Sequence, residues 1–113
     1  MKITSYSFGR LVINGKTYTS DVVIYPGRVD SSWWREEGHR LHPADITDVI
    51  NARPDVIVIG TGASGIMTVP EETVSFITSK GIEVRIARTG KAAEIFNSLQ
   101  GKKIVIAALH LTC

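Results

Sequence analysis

The sequence contains one cysteine, no apolar run near the ~18 residues that a membrane-spanning helix needs, and no block of charge of one sign. A single cysteine, Cys113, excludes an internal disulfide and leaves no Cys-x-x-Cys pair for zinc. The net charge of +2 is spread along the chain, so we expect neither a nucleic-acid partner nor a membrane partner. Strand-like sequence from Ile3 onwards leaves no room for a signal or transit peptide. These features predict a soluble cytoplasmic protein.

The composition is that of a single globular domain. Of 113 residues, 43% are hydrophobic and 21% are charged, which is typical of one compact domain with its own core. The chain has no internal repeat, linker or low-complexity tract. We therefore predict one domain over residues 1–113.

The first part of the chain is rich in β-structure. The predicted strands span residues 3–8, 10–13, 16–19 and 22–25. Between the second and third strands, Asn14-Gly15 supplies the two residues that a type I′ turn needs. This pattern predicts an N-terminal hairpin.

The segment from Pro26 to Leu41 has neither a helical nor a strand period. It carries both tryptophans, Trp33 and Trp34, followed by Arg35. A loop of this length in a small domain is usually functional or disordered, and two large aromatic side chains indicate that it packs on something. Trp and Arg are typical anchors of protein interfaces, so Trp33, Trp34 and Arg35 are our candidates for binding a protein partner. The alternative, equally supported, is that the loop only covers one face of the sheet.

From Pro43 onwards the pattern alternates between helices and strands, as in α/β proteins. The predicted strands span residues 56–59, 82–87 and 104–109. The predicted helices begin at Pro43, Pro70 and Thr89, the last as a capping residue, and end before Arg53-Pro54, at Lys80-Gly81 and at Gln100-Gly101. Strands separated by helices should be parallel, so their ends should meet at one edge of the sheet.

Ligands of open α/β sheets bind at that edge. The segments expected there contribute the candidate ligand-binding residues Gly60, Thr61, Gly62, Arg88, Thr89, Gly90, His110 and Cys113. The amides and hydroxyls of the glycine segment fit a carboxylate or a small phosphate, and the entrance of the third helix adds two cations. The same residues also suit tight turns and ordinary helix capping.

The spacing Gly60-x-Gly62-x-x-Gly65 after a strand is that of a dinucleotide-binding loop. Such a site requires a helix that opens inside the glycines and an acid at the end of the next strand. Here the next helix begins at Pro70, and the next strand ends at Arg88. We therefore predict no dinucleotide, and no other cofactor.

No catalytic residue is assigned. Cys113 and His110 are three residues apart, which on an extended chain places their side chains on opposite faces. His39 and His42 add ligand types for a metal but no recognisable ligand spacing, so no metal site is predicted.

The sequence resembles the Mth-type domain family of unknown function over nearly its whole length. The segments that carry the resemblance are Phe8-Gly9, Trp34-Arg35-Glu36, Pro43-Ala44-Asp45, residues 59–62, 81–84 and 93–99, and the ending His110-Leu111-Thr112-Cys113. The likeness is closest to the adipogenesis-associated branch and extends more distantly to a mitochondrial respiratory complex I assembly factor.

The resemblance implies a three-layer α/β domain, in which helices flank a mixed, mainly parallel central sheet and an N-terminal β-hairpin adds a layer. It brings no established enzyme activity and no defined catalytic residues, and the assembly relative acts by binding other proteins. We therefore expect a protein-interaction or assembly module with an unidentified protein partner. The alternative is a small-anion or metabolite binder, possibly an enzyme, with its site at the ends of the parallel strands.

Overall fold

The computed structural model describes all residues from Met1 to Cys113 and contains two β-sheets and three α-helices. The strands are β1 (Ile3–Ser7), β2 (Arg10–Ile13), β3 (Lys16–Tyr18), β4 (Val22–Tyr25), β5 (Arg28–Asp30), β6 (Val56–Thr61), β7 (Glu83–Ala87) and β8 (Val105–His110). The helices are α1 (Thr47–Asn51), which follows a 3₁₀ turn at Pro43–Ile46, α2 (Glu71–Thr78) and α3 (Thr89–Leu99).

The N-terminal strands form an antiparallel sheet in the order β1-β2-β3. Asn14 and Gly15 connect β2 to β3 with φ angles of 51° and 81°, as a type I′ turn requires, so the predicted hairpin is confirmed. The side chain of Asn97 in α3 binds both main-chain groups of Ile3, accepting from its amide at 3.0 Å and donating to its oxygen at 2.7 Å. These bonds attach the small sheet to α3.

The second sheet has the strand order β5-β4-β8-β6-β7. Strand β6 is parallel to β7 and β8, which confirms the predicted parallel arrangement. Strand β4 is antiparallel to both β8 and β5, so the sheet is mixed, with parallel and antiparallel pairings in equal number. The alternation of strands and helices predicted the parallel half only.

Strand β5 corrects the prediction that residues 26–41 contain no strand. Pro26-Gly27 turns the chain tightly enough for Tyr25 to pair with Arg28, which starts β5. The strand has only three residues. That length is too short to display the alternation by which strands are recognised.

Strand β6 occupies the centre of the fold. Val56 and Val58 pack into a cluster that α3 and the N-terminal sheet complete, whereas Ile57 and Ile59 pack into a second cluster formed with α1 and α2. Burial on both faces explains the uninterrupted apolar run of this strand. The same burial fixes the position of the turn that follows it.

The start of α3 corrects one predicted detail. The residue before the helix is Arg88, and its side chain makes no capping hydrogen bond. Thr89, predicted as the cap, is the first helical residue, and its buried hydroxyl bonds to the neighbouring segments.

Candidate functional site

The ends of the parallel strands bring three of the predicted residues into direct contact. The Thr89 hydroxyl donates a hydrogen bond to the main-chain oxygen of His110 at 2.5 Å and accepts one from the amide of Gly62 at 2.9 Å. The Thr89 amide donates to the Gly62 oxygen at 3.1 Å. The three segments that sequence placed at this edge therefore meet around one buried hydroxyl.

The amides of the glycine turn already have partners within the chain. The Ala63 amide donates to the Thr112 oxygen at 2.7 Å, and the Ile66 amide donates to the Cys113 oxygen at 3.0 Å. The Ser64 amide approaches the same Cys113 oxygen at 3.3 Å. An anion could bind these amides only by displacing the main chain of residues 112 and 113. The small-anion site at this turn stays a prediction.

Close packing explains the glycines of this turn. A Cβ atom at Gly60 would lie 2.8 Å from the Thr89 hydroxyl oxygen, and one at Gly62 would lie 2.3 Å from the main-chain carbon of Cys113. Gly62 also has a φ of 104°, which residues with a side chain rarely adopt. Gly60 thus leaves room for the side chains of Leu109 and Thr89, and Gly62 lets the main chain of residues 112 and 113 pack on the turn.

The other predicted ligand-binding residues line the same edge. The buried Thr61 hydroxyl donates to the Ala87 main-chain oxygen at 3.2 Å, and the exposed Arg88 side chain passes over Gly65. Gly90 and Cys113 are exposed. No hydrogen bond joins Cys113 to the His110 side chain, so the structure does not pair these two residues as nucleophile and base.

A buried ion cluster lies beside this edge and contains one residue that the sequence reasoning missed. Asp21 lies 2.9 Å from Arg35 Nη2 and 2.8 Å from His110 Nδ1, both measured to the same carboxylate oxygen. Its other oxygen accepts the Leu111 amide at 2.8 Å. Asp21 immediately precedes β4, whose antiparallel pairing with β8 places it next to the end of β8. Prediction of that pairing would have found it.

The charge state of Asp21 determines how the cluster is bonded. Burial opposes ionisation, but the hydrogen bonds from His110, the Leu111 amide and Arg35 outweigh it and lower the pKa of Asp21 from 3.8 to about 2. Since the carboxylate is ionised, we assign the proton of His110 Nδ1 to the bond with Asp21. The nearby Arg35 Nη2 then donates to Asp21 and to the Gly38 oxygen.

The cluster fixes residues 31–41, the loop that carries Trp33 and Trp34 and that we call the tryptophan loop, to the sheet. The side chains of Arg35 and His110 are only 5% and 6% exposed. The Arg35 guanidinium carbon lies 4.6 Å from the centre of the Trp33 ring. Trp33 Nε1 donates to the main-chain oxygen of Asp45 at 3.0 Å. Trp34, the residue between them, remains 75% exposed. The side chains of Trp33 and Arg35 are thus bonded within the chain, whereas the Trp34 side chain between them faces solvent.

The cluster has unused polar atoms but adjoins no cavity. Arg35 Nε and Nη1 and His110 Nε2 are buried without a hydrogen-bond partner. The His39 ring lies 5.6 Å from the His110 ring, edge to face.

The largest cavity, about 410 Å³, is lined by Arg53, Lys80 and neighbouring residues at the other end of the parallel strands. No cavity is lined by Asp21, Arg35 or His110, and no group of three or more His, Cys, Asp or Glu side chains could hold a metal ion.

The depressed pKa of Asp21 predicts a dependence of stability on pH. Because the folded pKa lies below the unfolded value, the carboxylate contributes its full stabilisation above about pH 5 and loses it as the pH falls towards 2. The shift corresponds to about 2.5 kcal/mol, which solvent screening reduces to about 1 kcal/mol. Urea unfolding between pH 5 and 2 should therefore show a shallower loss of stability in Asp21→Asn than in the wild type.

Asp48→Asn is the matched control for this titration, because Asp48 is exposed and its carboxylate makes no ion pair. It should follow the wild-type pH profile. Identical profiles for Asp21→Asn and the wild type would show that Asp21 has no depressed pKa.

Comparison with known proteins places this geometry in a known group. The profile of a family described as "Protein of unknown function (DUF498/DUF598)" matches residues 3–110. A conserved hypothetical protein from Pyrococcus horikoshii OT3 is 31% identical, with a TM-score of 0.86 and coverage of 100% of both chains. The present chain and the Pyrococcus horikoshii protein are therefore similar in sequence as well as in fold.

Two further solved structures share the fold at lower identity. A Bartonella henselae protein named as an outer membrane protein is 24% identical, with a TM-score of 0.82, over 98% of this chain and 94% of that one. A Bordetella pertussis protein named as a Mth938-like domain is 22% identical, with a TM-score of 0.67, over 97% of this chain and 85% of that one. In the present chain, no helix combines the length and apolarity needed to cross a membrane.

Proposed function

Because the chain belongs to the DUF498/DUF598 family of proteins of unknown function, for which no catalysis is established, we propose a function from its own surface. The protein is a protein-interaction module whose exposed Trp34 anchors a partner at the end of the central sheet. The single observation that carries this proposal is the exposure of Trp34 between two residues held by the fold. A large aromatic side chain on a fixed backbone loses little conformational entropy on binding.

Two more exposed apolar side chains belong to the same end of the molecule. Phe8 precedes Gly9, whose amide donates to the Leu111 oxygen at 2.8 Å, and Ile66 donates its own amide to Cys113. Trp34 precedes Arg35, which contacts His110. Gly9, Arg35 and Ile66 therefore each contact one of the four consecutive residues 110–113, which span about 10 Å. Phe8, Trp34 and Ile66 lie at or next to these contacts. We call Phe8, Trp34 and Ile66 the apolar end surface.

The charges around the apolar end surface define the partner's chemistry. The exposed charged residues near it along the chain or in contact with its neighbouring residues are the cations Arg10, Arg40 and Arg88 and the acids Glu36 and Glu37. Two further acids, Asp21 and Asp45, are partly buried and bonded within the chain. Exposed cations thus outnumber exposed acids by one. A segment that carries apolar residues flanked by aspartate or glutamate would complement this surface in both respects. We propose such a segment of another protein as the occupant.

The sequence resemblance supports the same proposal in finer detail. The distant complex I assembly relative acts by binding other proteins, and the closer likeness is to the adipogenesis-associated branch. We propose membership of that branch and action in the cytoplasm, the location expected from the sequence. Complex I assembly itself is not part of the proposal.

Removal of the Trp34 side chain should abolish most of the binding. Immobilised wild-type protein would select a partner from a lysate of the source organism, and that partner would then be purified and titrated by calorimetry. We expect Trp34→Ala to weaken the dissociation constant about 30-fold, the effect of an interface hot spot of about 2 kcal/mol.

Ile104→Ala is the matched control, because Ile104 is also a large exposed apolar residue but precedes β8 at the opposite end of the sheet. It should bind like the wild type. Retention of no protein by the wild type, or equal affinity of Trp34→Ala and Ile104→Ala, would contradict the proposal.

A further inference from the structure

Strand β7 forms an open edge of the five-stranded sheet. Its only strand partner is β6. The Glu83 amide donates to the Asp55 oxygen at 3.1 Å, so the main-chain groups of Glu83 point towards β6. Because successive residues of a strand direct these groups to opposite sides, those of Val84 and Ile86 point outwards. The Ile86 side chain is 45% exposed on this edge.

The sequence of this edge is self-complementary. Residues 82–86 read Ile-Glu-Val-Arg-Ile, a pattern that is symmetric about Val84 except that the charge changes sign. In an antiparallel pair of two such strands centred on Val84, Glu83 of each strand lies opposite Arg85 of the other. Ile82 lies opposite Ile86, and Val84 lies opposite Val84. Each charge meets its opposite, and each apolar residue meets an apolar one.

The outward main-chain groups fit this register. Ile82, Val84 and Ile86 share the outward orientation, and they are the residues that oppose one another in the symmetric pair. Each opposed pair can therefore exchange two hydrogen bonds, as the hydrogen-bonded pairs of an antiparallel ladder do. A shift by one residue would bring inward-facing groups to the interface, so the main chain and the side chains select the same register.

The side chains also separate correctly between the two faces. Ile82 and Val84 pack with the cluster under α1 and α2, and Ala87 packs with the cluster under α3. The apolar members of the edge therefore share one face. The half-exposed Glu83 and Arg85 pair with each other on the opposite face, where Lys103 lies 3.6 Å from Glu83. Pairing would continue both faces across the interface.

Edge strands that avoid association carry proline, a bulge or charges that repel a second copy. Strand β7 has no proline, and its pairing with β6 runs in continuous register. Its two charges attract their symmetric counterparts. The other edge, β5, has three residues, of which Val29 alone points outwards, because Tyr25 and Arg28 form the pair that closes the turn. Strand β7 therefore provides the longer interface.

We propose that two copies of this chain associate through β7, antiparallel and with Val84 at the two-fold axis, so that their central sheets become one continuous sheet. The interface is separate from the apolar end surface. Failure of either proposal therefore leaves the other intact.

Sedimentation equilibrium of the full chain under reducing conditions tests this pairing, the reductant preventing a disulfide between exposed Cys113 residues. The wild type should form dimers. Glu83→Arg places like charges opposite each other at two symmetric positions and should weaken dimerisation at least about tenfold. The exchange Glu83→Arg with Arg85→Glu restores opposite charges and should recover dimerisation to within about threefold of the wild type.

Circular dichroism will confirm that both variants keep the fold, as expected for half-exposed side chains. Hydrogen exchange will locate the interface, because the amides of Val84 and Ile86 should be slower in the wild type than in Glu83→Arg. A monomer at concentrations up to about 1 mM would overturn the proposal. Equal dimerisation of all three proteins, or protection that appears only outside β7, would also overturn it.

Discussion

Alanine at position 62 is expected to lower the free energy of unfolding by about 3 kcal/mol or more. The φ of 104° is unfavourable for any residue with a side chain. The new Cβ would also lie 2.3 Å from the main-chain carbon of Cys113 and 2.8 Å from the main-chain oxygen of Thr112. These neighbours are backbone atoms and cannot rotate away, so Gly62→Ala must either distort the turn or expel residues 112 and 113. Urea unfolding at pH 7 measures the loss.

Gly27→Ala is the control, because Gly27 has no positive φ and a Cβ there would meet nothing within 4 Å. Its free energy of unfolding should stay within about 1 kcal/mol of the wild type. If Gly62→Ala were as stable as Gly27→Ala, residues 112 and 113 would not be packed on the turn.

Asp21→Asn is expected to cost about 2 kcal/mol at pH 7, the loss of hydrogen bonds to a charged, partly buried group, measured by the same unfolding experiment. The substitution removes the negative charge and leaves the guanidinium of Arg35 buried without an ion pair. His110 and the Leu111 amide would also lose a charged acceptor. Because this cluster holds the tryptophan loop, hydrogen exchange of residues 31–41 should become faster in the variant.

The double variant Asp21→Asn with Arg35→Met separates the buried charge from the shape of the cluster. Removal of both charges should make it at least about 1 kcal/mol more stable than Asp21→Asn alone, because no unpaired cation remains buried. Asp48→Asn should change stability by less than about 0.5 kcal/mol. If Asp21→Asn matched Asp48→Asn, the cluster would not fix the loop.

Local sequence patterns were sufficient for most of the architecture. The Asn14-Gly15 turn, the buried run of β6 and the glycine ends of the helices each depend on neighbours a few residues away. The parallel part of the sheet followed from the alternation of strands and helices. The pairing of β4 with β8 joins residues more than 80 positions apart, and no local pattern encodes it. Asp21 was missed for that reason.

The candidate site was predictable in position but not in its bonds. Sequence brought Gly62, Thr89 and His110 to one edge, where the structure joins them through a single hydroxyl. It could not show that residues 112 and 113 occupy the turn's amides, because that contact depends on the path of the chain after β8. Nor could it distinguish the packed Trp33 from the exposed Trp34, since the loop has no period that assigns alternate residues to a face.

Site-specific photo-crosslinking tests whether a partner binds at the apolar end surface. A benzophenone amino acid would replace the exposed Phe8 in one protein and Ile104 in another, which leaves Trp34 intact in both. Both proteins would be irradiated in cells of the source organism. We expect a crosslink from position 8 to one protein, at a segment with apolar and acidic residues, and none to that protein from position 104. Equal crosslinking from both positions, or none from position 8, would show that no partner binds at this surface.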